Sequence, residues 1–183
     1  MPLLLRVFAL GVCLTWSSTA RAETLADFLI AGMPAEHRQE ATTLAICVLA
    51  EAGGNRIDHH GILHVLKRRA QLLSSRSGQF ISPAGMARRY CRIFRDAPKH
   101  RLFLRSFAWA QTPERQPYAR AWQQAQLSVV LFLLGVDMDP CDGKSMHWGS
   151  TADAQKPPKR SVRVHCGPTR NVFWTGPQRS TSI

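Results

Sequence analysis

The sequence predicts an α+β fold that is mostly helical and has a small β hairpin near its C-terminus. Several segments carry apolar residues at helical spacing, and they are followed by two short alternating segments, 162–165 and 171–174. Gly167 and Pro168 lie between the two, as expected for the turn of a hairpin. No internal repeat or interdomain linker interrupts this order, so we expect a single domain.

The helical part is expected to contain four main helices after a short amphipathic lead-in over 23–40, which Pro34 interrupts. We predict these helices over residues 41–52, 61–73, 84–94 and 118–134. The first is an apolar run that Gly53 and Gly54 should end. Residues 55–60 are polar and are interpreted as a link between the first two helices.

The N-terminal residues have the features of a secretory signal peptide. Residues 1–6 are basic, 7–16 form an apolar core too short to span a bilayer, and Ala20-Arg21-Ala22 fits an A-x-A cleavage site. An uncleaved anchor is the alternative. We therefore assign 1–22 to a signal peptide, 23–174 to a single catalytic-type domain, and 175–183 to a disordered tail. The mature chain is expected to be secreted or periplasmic, without a membrane span.

The chain is strongly basic, with a formal net charge of +12 over 183 residues. Cleavage would remove Arg6 and Arg21 and no acidic residue, which lowers the net charge to +10. Such a charge favours an anionic partner, for which a bacterial wall polymer, a membrane surface and nucleic acid are the candidates. The alternative is a solvated basic face. No nucleic-acid-binding module is recognisable, so we expect a wall polymer as the partner. We also expect the protein to be a monomer and to use no cofactor.

Four cysteines remain after residue 22, an even number that suggests two disulfides in an exported protein. Cys141 and Cys166 bracket one compact C-terminal segment, which favours their pairing and, with it, a bond between Cys47 and Cys91. Four cysteines allow three connectivities, and a buried free thiol at Cys47 is the alternative.

Glu51 is the strongest candidate for a catalytic residue, because it is a carboxylate at the end of the apolar run from Leu44 to Ala50. Burial disfavours the charged form of a carboxyl group, and a general acid must be protonated. Trp148, which follows His147 in a compact aromatic segment, and the hairpin residue Trp174 offer surfaces on which sugars stack. Core filling by the tryptophans, and pairing of Glu51 with an arginine, are the alternatives.

His60 and His64 are four residues apart on a predicted helix, a spacing that suits a metal pair, which His147 or His165 would complete. No HExxH motif is present, and a histidine beside an apolar face is more often a core residue. We therefore predict no metal site, and keep a secreted zinc hydrolase that uses His60 and His64 as an alternative function.

Four segments carry a resemblance to a known family. Residues 51–55 read Glu-Ala-Gly-Gly-Asn, residues 61–69 lie in the second predicted helix and include Arg69, and 146–149 and 171–174 each carry aromatic residues. Together they resemble the SleB-like cell wall hydrolases, the spore-cortex lytic enzyme group. That family has an E-A-R-G-E motif, a helix ending in N-R, and a later hairpin with an H-x-F-[YW] pattern.

The chain departs from the family pattern at several positions. Asn55 replaces the second glutamate of the first motif, Arg68 replaces the asparagine, and Asn171 replaces the histidine of the hairpin. The first glutamate, which the family uses as its catalytic acid, is retained as Glu51.

The resemblance implies a lysozyme-like fold and cleavage of peptidoglycan glycan strands between N-acetylmuramic acid and N-acetylglucosamine. It implies Glu51 as the catalytic residue of a lytic transglycosylase, with His147, Trp148, Asn171 and Trp174 as substrate-binding residues. A hydrolytic muramidase would need a second carboxylate, for which Asp139 or Asp153 is the candidate. A non-catalytic module that binds cell-wall glycan is the alternative.

Overall fold

The computed structural model describes residues 25–96, 119–152 and 157–176. The predicted signal peptide, Asp153 and the end of the predicted tail lie outside these ranges. In chain order the helices are α1 (Leu25–Ala31), α2 (Ala35–Ala52), α3 (Arg56–Ser77), α4 (Pro83–Tyr90), α5 (Arg92–Arg95) and α6 (Ala119–Leu133). The strands are β1 (Ser145–Gly149), β2 (Arg163–Val164) and β3 (Val172–Thr175). The prediction of a mostly helical α+β fold is confirmed.

The three strands form one antiparallel sheet in the order β1-β3-β2. The predicted hairpin corresponds to β2 and β3, and β3 extends to Thr175, one residue beyond the expected end of the domain. The sequence interpretation did not include β1 as a strand. Its pairing with β3 contains an irregularity between Ser145 and His147, which places a bulge at Met146.

The helix boundaries differ from the prediction at the start of α3. The segment 55–60, interpreted as a polar link, instead contains the N-cap and first turn of this helix. The Asn55 side chain accepts hydrogen bonds from the backbone N–H groups of Ile57 and Asp58, each at 3.1 Å. Asparagine is among the preferred N-cap residues, so the polar character of this segment reflects capping. Gly53, with a φ of 58°, ends α2 as predicted.

Helix α2 lies at the centre of the helical part and packs against α3, α4, α5 and α6, while β1 packs on α3. Its apolar residues meet those of α3 and of the sheet in one hydrophobic core. Fully buried members include Leu44, Val48, Ile62, Leu66 and Phe173. The core thus fixes the end of α2, where Glu51 lies, against both the sheet and the short helices α4 and α5.

Both favoured disulfides are present. Cys47 on α2 bonds Cys91, which lies between α4 and α5, with an S–S distance of 1.94 Å. Cys141 bonds Cys166 with an S–S distance of 2.09 Å, so the residues preceding β1 are linked to those following β2. The two disulfides suit an extracellular protein. Within the three described ranges, no helix is long and apolar enough to cross a membrane.

Candidate active site around Glu51

Glu51 lies in the last turn of α2, and its side chain is half-buried. Each carboxylate oxygen accepts one hydrogen bond. The backbone N–H of Arg92 donates to Oε1 at 2.7 Å, and the indole N–H of Trp148 donates to Oε2 at 3.3 Å. A carboxylate has about four lone-pair positions, so these two contacts orient the group and leave positions for a ligand.

The Arg92 donor is positioned by the disulfide next to it. Cys47 lies one helical turn before Glu51 on α2, so both side chains are on the same face of the helix. Cys91 is the N-cap of α5, and Arg92 is the first residue of that helix. The bond between Cys47 and Cys91 therefore holds the start of α5 against the face of α2 that carries Glu51.

The Trp148 donor comes from β1, which Arg69 of α3 holds in place. The Nε–H of Arg69 donates to the carbonyl oxygen of Met146 at 2.7 Å, and its Nη2 donates to Nδ1 of His147. Because the bulge at Met146 interrupts the pairing with β3, this carbonyl group is available to accept a hydrogen bond from Arg69. Arg69 thus sets the register of the strand that brings Trp148 to Glu51.

An aromatic residue and two cationic groups continue the site away from Glu51. The Arg69 guanidinium lies 4.2 Å from the centroid of the Tyr90 ring and 5.9 Å from that of the Trp148 ring. The Arg89 guanidinium lies 5.9 Å from the same Tyr90 centroid. Such cation–π contacts hold planar groups in a fixed order. Trp148, Arg69, Tyr90 and Arg89 therefore form a continuous array that begins at Glu51.

His147, predicted to bind substrate, is half-buried in β1 and accepts a hydrogen bond from Arg69. Burial lowers the pKa of His147, and the positive charge of Arg69 lowers it further. Its imidazole is therefore neutral at neutral pH. His147 directly precedes Trp148 in β1, and the indole of Trp148 contacts Glu51.

Asn171 supports the end of α2 through its amide. Its Nδ2 donates to the backbone carbonyl of Glu51 at 3.2 Å, and the side chain is 8% exposed. Asp58, fully buried, accepts the backbone N–H groups of Arg170 and Asn171 at 2.9 and 3.1 Å. Burial raises the pKa of Asp58, although both hydrogen bonds oppose the shift. These contacts fix the chain just before β3 against the first turn of α3.

Trp174 was predicted to contact substrate, and the structure places it in β3 with 4% of its surface exposed. Its ring therefore offers little area to a ligand. Trp148, which is half-buried and hydrogen-bonded to Glu51, is the tryptophan that the structure places at the candidate site.

Asp139, one of the two candidates for a second carboxylate, is engaged on the other side of β1. Arg68 forms a salt bridge with it and also donates to the Ser145 carbonyl at 2.6 Å. The backbone N–H groups of Cys141 and Gly143 donate to it at 2.9 Å. Burial alone would raise the pKa of Asp139, but the N–H of Cys141 and the charge of Arg68 outweigh burial and lower it.

His60 and His64, the pair considered as metal ligands in the alternative function, share a carboxylate. His60 Nδ1 and His64 Nε2 each lie 3.0 Å from Oδ2 of Asp137, in the segment after α6. Burial lowers the pKa of His60, although Asp137 acts in the opposite sense. Over the described ranges, no group of three or more histidine, cysteine or acidic side chains is arranged to hold a metal ion. The zinc-hydrolase alternative therefore gains no support there.

Four contributors to the contacts described in this section were missed at the sequence level. They are Asp58, Tyr90, Asp137 and the backbone N–H of Arg92. Asp58 could have been found, because it follows Asn55 by three residues, as an acidic residue does in the first turn of a capped helix. The other three come into position through contacts between residues at least 21 apart in sequence, for which a single sequence gives no signal.

Comparisons with protein-family models, with curated proteins and with solved structures found no match to this chain. The geometry around Glu51 and the resemblance in the motifs are therefore the observations that bear on function.

Proposed function

We propose that the protein cleaves the glycan strands of peptidoglycan, with Glu51 as the general acid and base, and that its fold is lysozyme-like. The observation that carries the proposal is the position of Glu51. Its carboxylate lies at the end of a helix that packs in the core. Each carboxylate oxygen accepts one hydrogen bond from an uncharged N–H group, and one of these groups belongs to the aromatic ring beside it. A glycosidase needs such a carboxyl group next to a surface on which a sugar can stack.

The proposed reaction is lytic transglycosylation. Glu51 gives its proton to the oxygen of the glycosidic bond, and the bond from that oxygen to C1 of the muramoyl residue breaks through an oxocarbenium-like state. The ionised Glu51 then takes the proton of the C6 hydroxyl as the C6 oxygen bonds to C1. The products are a new free end and a 1,6-anhydromuramoyl end, and Glu51 is protonated again.

This route uses one carboxyl group, and the contacts of the aspartates agree with that. Asp139 is paired with Arg68, and Asp137 is bound by His60 and His64. Asp153, the other residue considered as a base or nucleophile for hydrolysis, lies outside the described residues. The arrangement of Asp137 and Asp139 favours transglycosylation over a muramidase with two carboxylates.

A non-catalytic glycan-binding module is the second candidate, and a specific contact favours it. Glu51 accepts the first backbone N–H of α5, so it also acts as a helix cap. If capping were its only role, the same surface would bind glycan without cleaving it.

The test is release of soluble fragments from purified sacculi by mature wild-type protein and by the Glu51→Gln variant. Glutamine keeps the shape and can still accept one of the two hydrogen bonds through its carbonyl oxygen, but it cannot deliver a proton in this way. Glu36→Gln, an exposed change in the first turn of the same helix, is the matched control. We expect release by wild type and Glu36→Gln, and a loss of at least about 100-fold in Glu51→Gln. Sedimentation of all three with sacculi, and release by none, would favour the binding module.

A further inference from the structure

Four arginines are concentrated on α4 and α5, the two short helices that border Glu51. All four side chains are exposed to solvent. We call this set the arginine rim, and its members are Arg88, Arg89, Arg92 and Arg95.

The arginine rim is directly connected to the candidate catalytic group. The backbone N–H of Arg92 is a hydrogen-bond donor to Glu51, at 2.7 Å. The pKa of Arg95 is raised, mainly by a hydrogen bond to Asp96, and the negative charge of Glu51 adds to the effect. Arg95 is therefore close enough to Glu51 to interact with it electrostatically. Arg89 lies against Tyr90, whose ring also contacts Arg69.

Most of the positive charge of the arginine rim is not neutralised within the described part of the chain. Arg95 forms a two-point contact with Asp96, at 2.7 and 2.9 Å. Arg88, Arg89 and Arg92 form no salt bridge with any residue in 25–96, 119–152 or 157–176. An exposed, uncompensated group of three guanidinium ions is available to bind anionic groups from outside.

The disulfide keeps this charge at a fixed place relative to Glu51. Cys91 separates Arg88 and Arg89 from Arg92, and its bond to Cys47 attaches the segment to α2 one turn before Glu51. Anionic groups bound by the arginine rim would therefore be held at a constant distance from the carboxylate.

We infer that the arginine rim recognises the carboxylates of the peptides attached to the glycan, and so directs Glu51 to peptide-bearing strands. The inference rests on the proposed function, because it extends the substrate from a glycan to a glycan with acidic peptide side chains. Guanidinium groups bind carboxylates through paired N–H donors, and peptidoglycan peptides carry several carboxylates close to the sugar chain. Aromatic residues such as Trp148 would contact the sugars, and the arginine rim the peptides.

The experiment compares binding to native sacculi with binding to sacculi whose carboxylates have been converted to neutral methylamides. Binding is measured by sedimentation with Glu51→Gln protein, so that no cleavage occurs. The rim variant carries Arg88→Gln, Arg89→Gln and Arg92→Gln. The control carries Arg38→Gln, Arg76→Gln and Arg163→Gln, three exposed arginines on α2, α3 and β2 with the same change in charge.

We expect the rim variant to bind native sacculi about ten-fold more weakly, and the control less than about two-fold, since exposed arginine–carboxylate contacts are individually weak. On methylamidated sacculi the rim variant and its parent should bind equally. Independently of any variant, the parent should prefer native over methylamidated sacculi, and the preference should decrease with salt. Equal weakening by the two triple variants, or no preference for native sacculi, would overturn the inference. These readouts do not depend on cleavage, so failure of the proposed reaction would be recognised separately.

Discussion

Glu51 and Trp148 are 97 residues apart in the sequence, and the indole N–H of Trp148 donates to the Glu51 carboxylate at 3.3 Å. The contact joins the end of the central helix to the edge strand of the sheet. It places the half-buried ring of Trp148 directly beside the candidate catalytic group.

Trp148→Phe tests the importance of this contact, because phenylalanine keeps an aromatic surface and removes the N–H. We expect kcat on sacculi to fall about ten-fold, which corresponds to the loss of about 1.4 kcal/mol from a hydrogen bond to a carboxylate. Trp122→Phe on α6 is the matched control and should leave kcat within about two-fold. Equal kcat values for wild type and Trp148→Phe would show that the indole N–H does not orient Glu51 for reaction.

The two disulfides should stabilise the protein by similar amounts. They close loops with sequence separations of 44 and 25 residues, for which the chain-entropy model gives about 4 and 3.5 kcal/mol. We expect Cys47→Ala/Cys91→Ala and Cys141→Ala/Cys166→Ala to lower the free energy of unfolding, measured with urea, by these amounts. A loss below about 1 kcal/mol for either pair would contradict a native bond there. If both variants remain folded at 25 °C, the first should also lose activity, because it frees the Arg92 donor.

A larger residue at Gly61 should destabilise the protein, because α3 and β3 approach each other closely there. A Cβ atom at Gly61 would lie 2.6 and 2.8 Å from two ring atoms of the buried Phe173. We expect Gly61→Ala to lower the free energy of unfolding by about 1–3 kcal/mol, despite the better helix propensity of alanine. Gly85→Ala on α4, where the nearest atoms are 3.7 Å from the Cβ, is the control and should be neutral or stabilising. Similar effects of the two substitutions would contradict the packing of Phe173 on α3.

His59 should make stability depend on pH. Its Nε2–H donates to the Gly53 carbonyl at 2.7 Å, so the neutral ring must accept from the Ser128 hydroxyl through Nδ1, at 3.2 Å. Burial lowers the pKa of His59 to about 4, from 6.5. The unfolded chain therefore binds more protons between these two values, and stability present above about pH 6.5 is lost as the pH falls towards 4.

This loss amounts to about 3 kcal/mol if the full shift is realised. Urea unfolding at pH 7, 6, 5 and 4 should show a decrease that is smaller in His59→Gln than in wild type. His165→Gln, an exposed change, should retain the wild-type dependence. Identical profiles for wild type and His59→Gln would contradict a buried neutral imidazole at this position.

The local features of the chain could be predicted from the sequence, and the long-range ones could not. The apolar run before Gly53 identified the end of α2, and the alternation around Gly167 identified the β2–β3 hairpin. The strand β1 was missed although Ser145 to Trp148 alternate between polar and apolar side chains. It is only five residues long, and its position depends on Arg68 and Arg69 reaching across from α3.

The candidate site shows the same division. Glu51 and Trp148 could be selected from residue type and position in the chain. The Arg92 N–H, the position of Tyr90 and the sharing of Asp137 by His60 and His64 follow from how the helices pack, which a single sequence does not encode locally. The burial of Trp174 was likewise set by the middle position of β3 in the sheet.

The most direct test of the account is the mass of the muramoyl ends released from sacculi by mature wild-type protein, with the Glu51→Gln variant run in parallel. If Glu51 carries out lytic transglycosylation, wild-type protein should release muramoyl ends that are lighter by one water molecule than hydrolysed ends. The Glu51→Gln variant should release none. Hydrolysed ends would contradict the one-carboxylate mechanism, and anhydro ends released equally by Glu51→Gln would contradict the role assigned to Glu51.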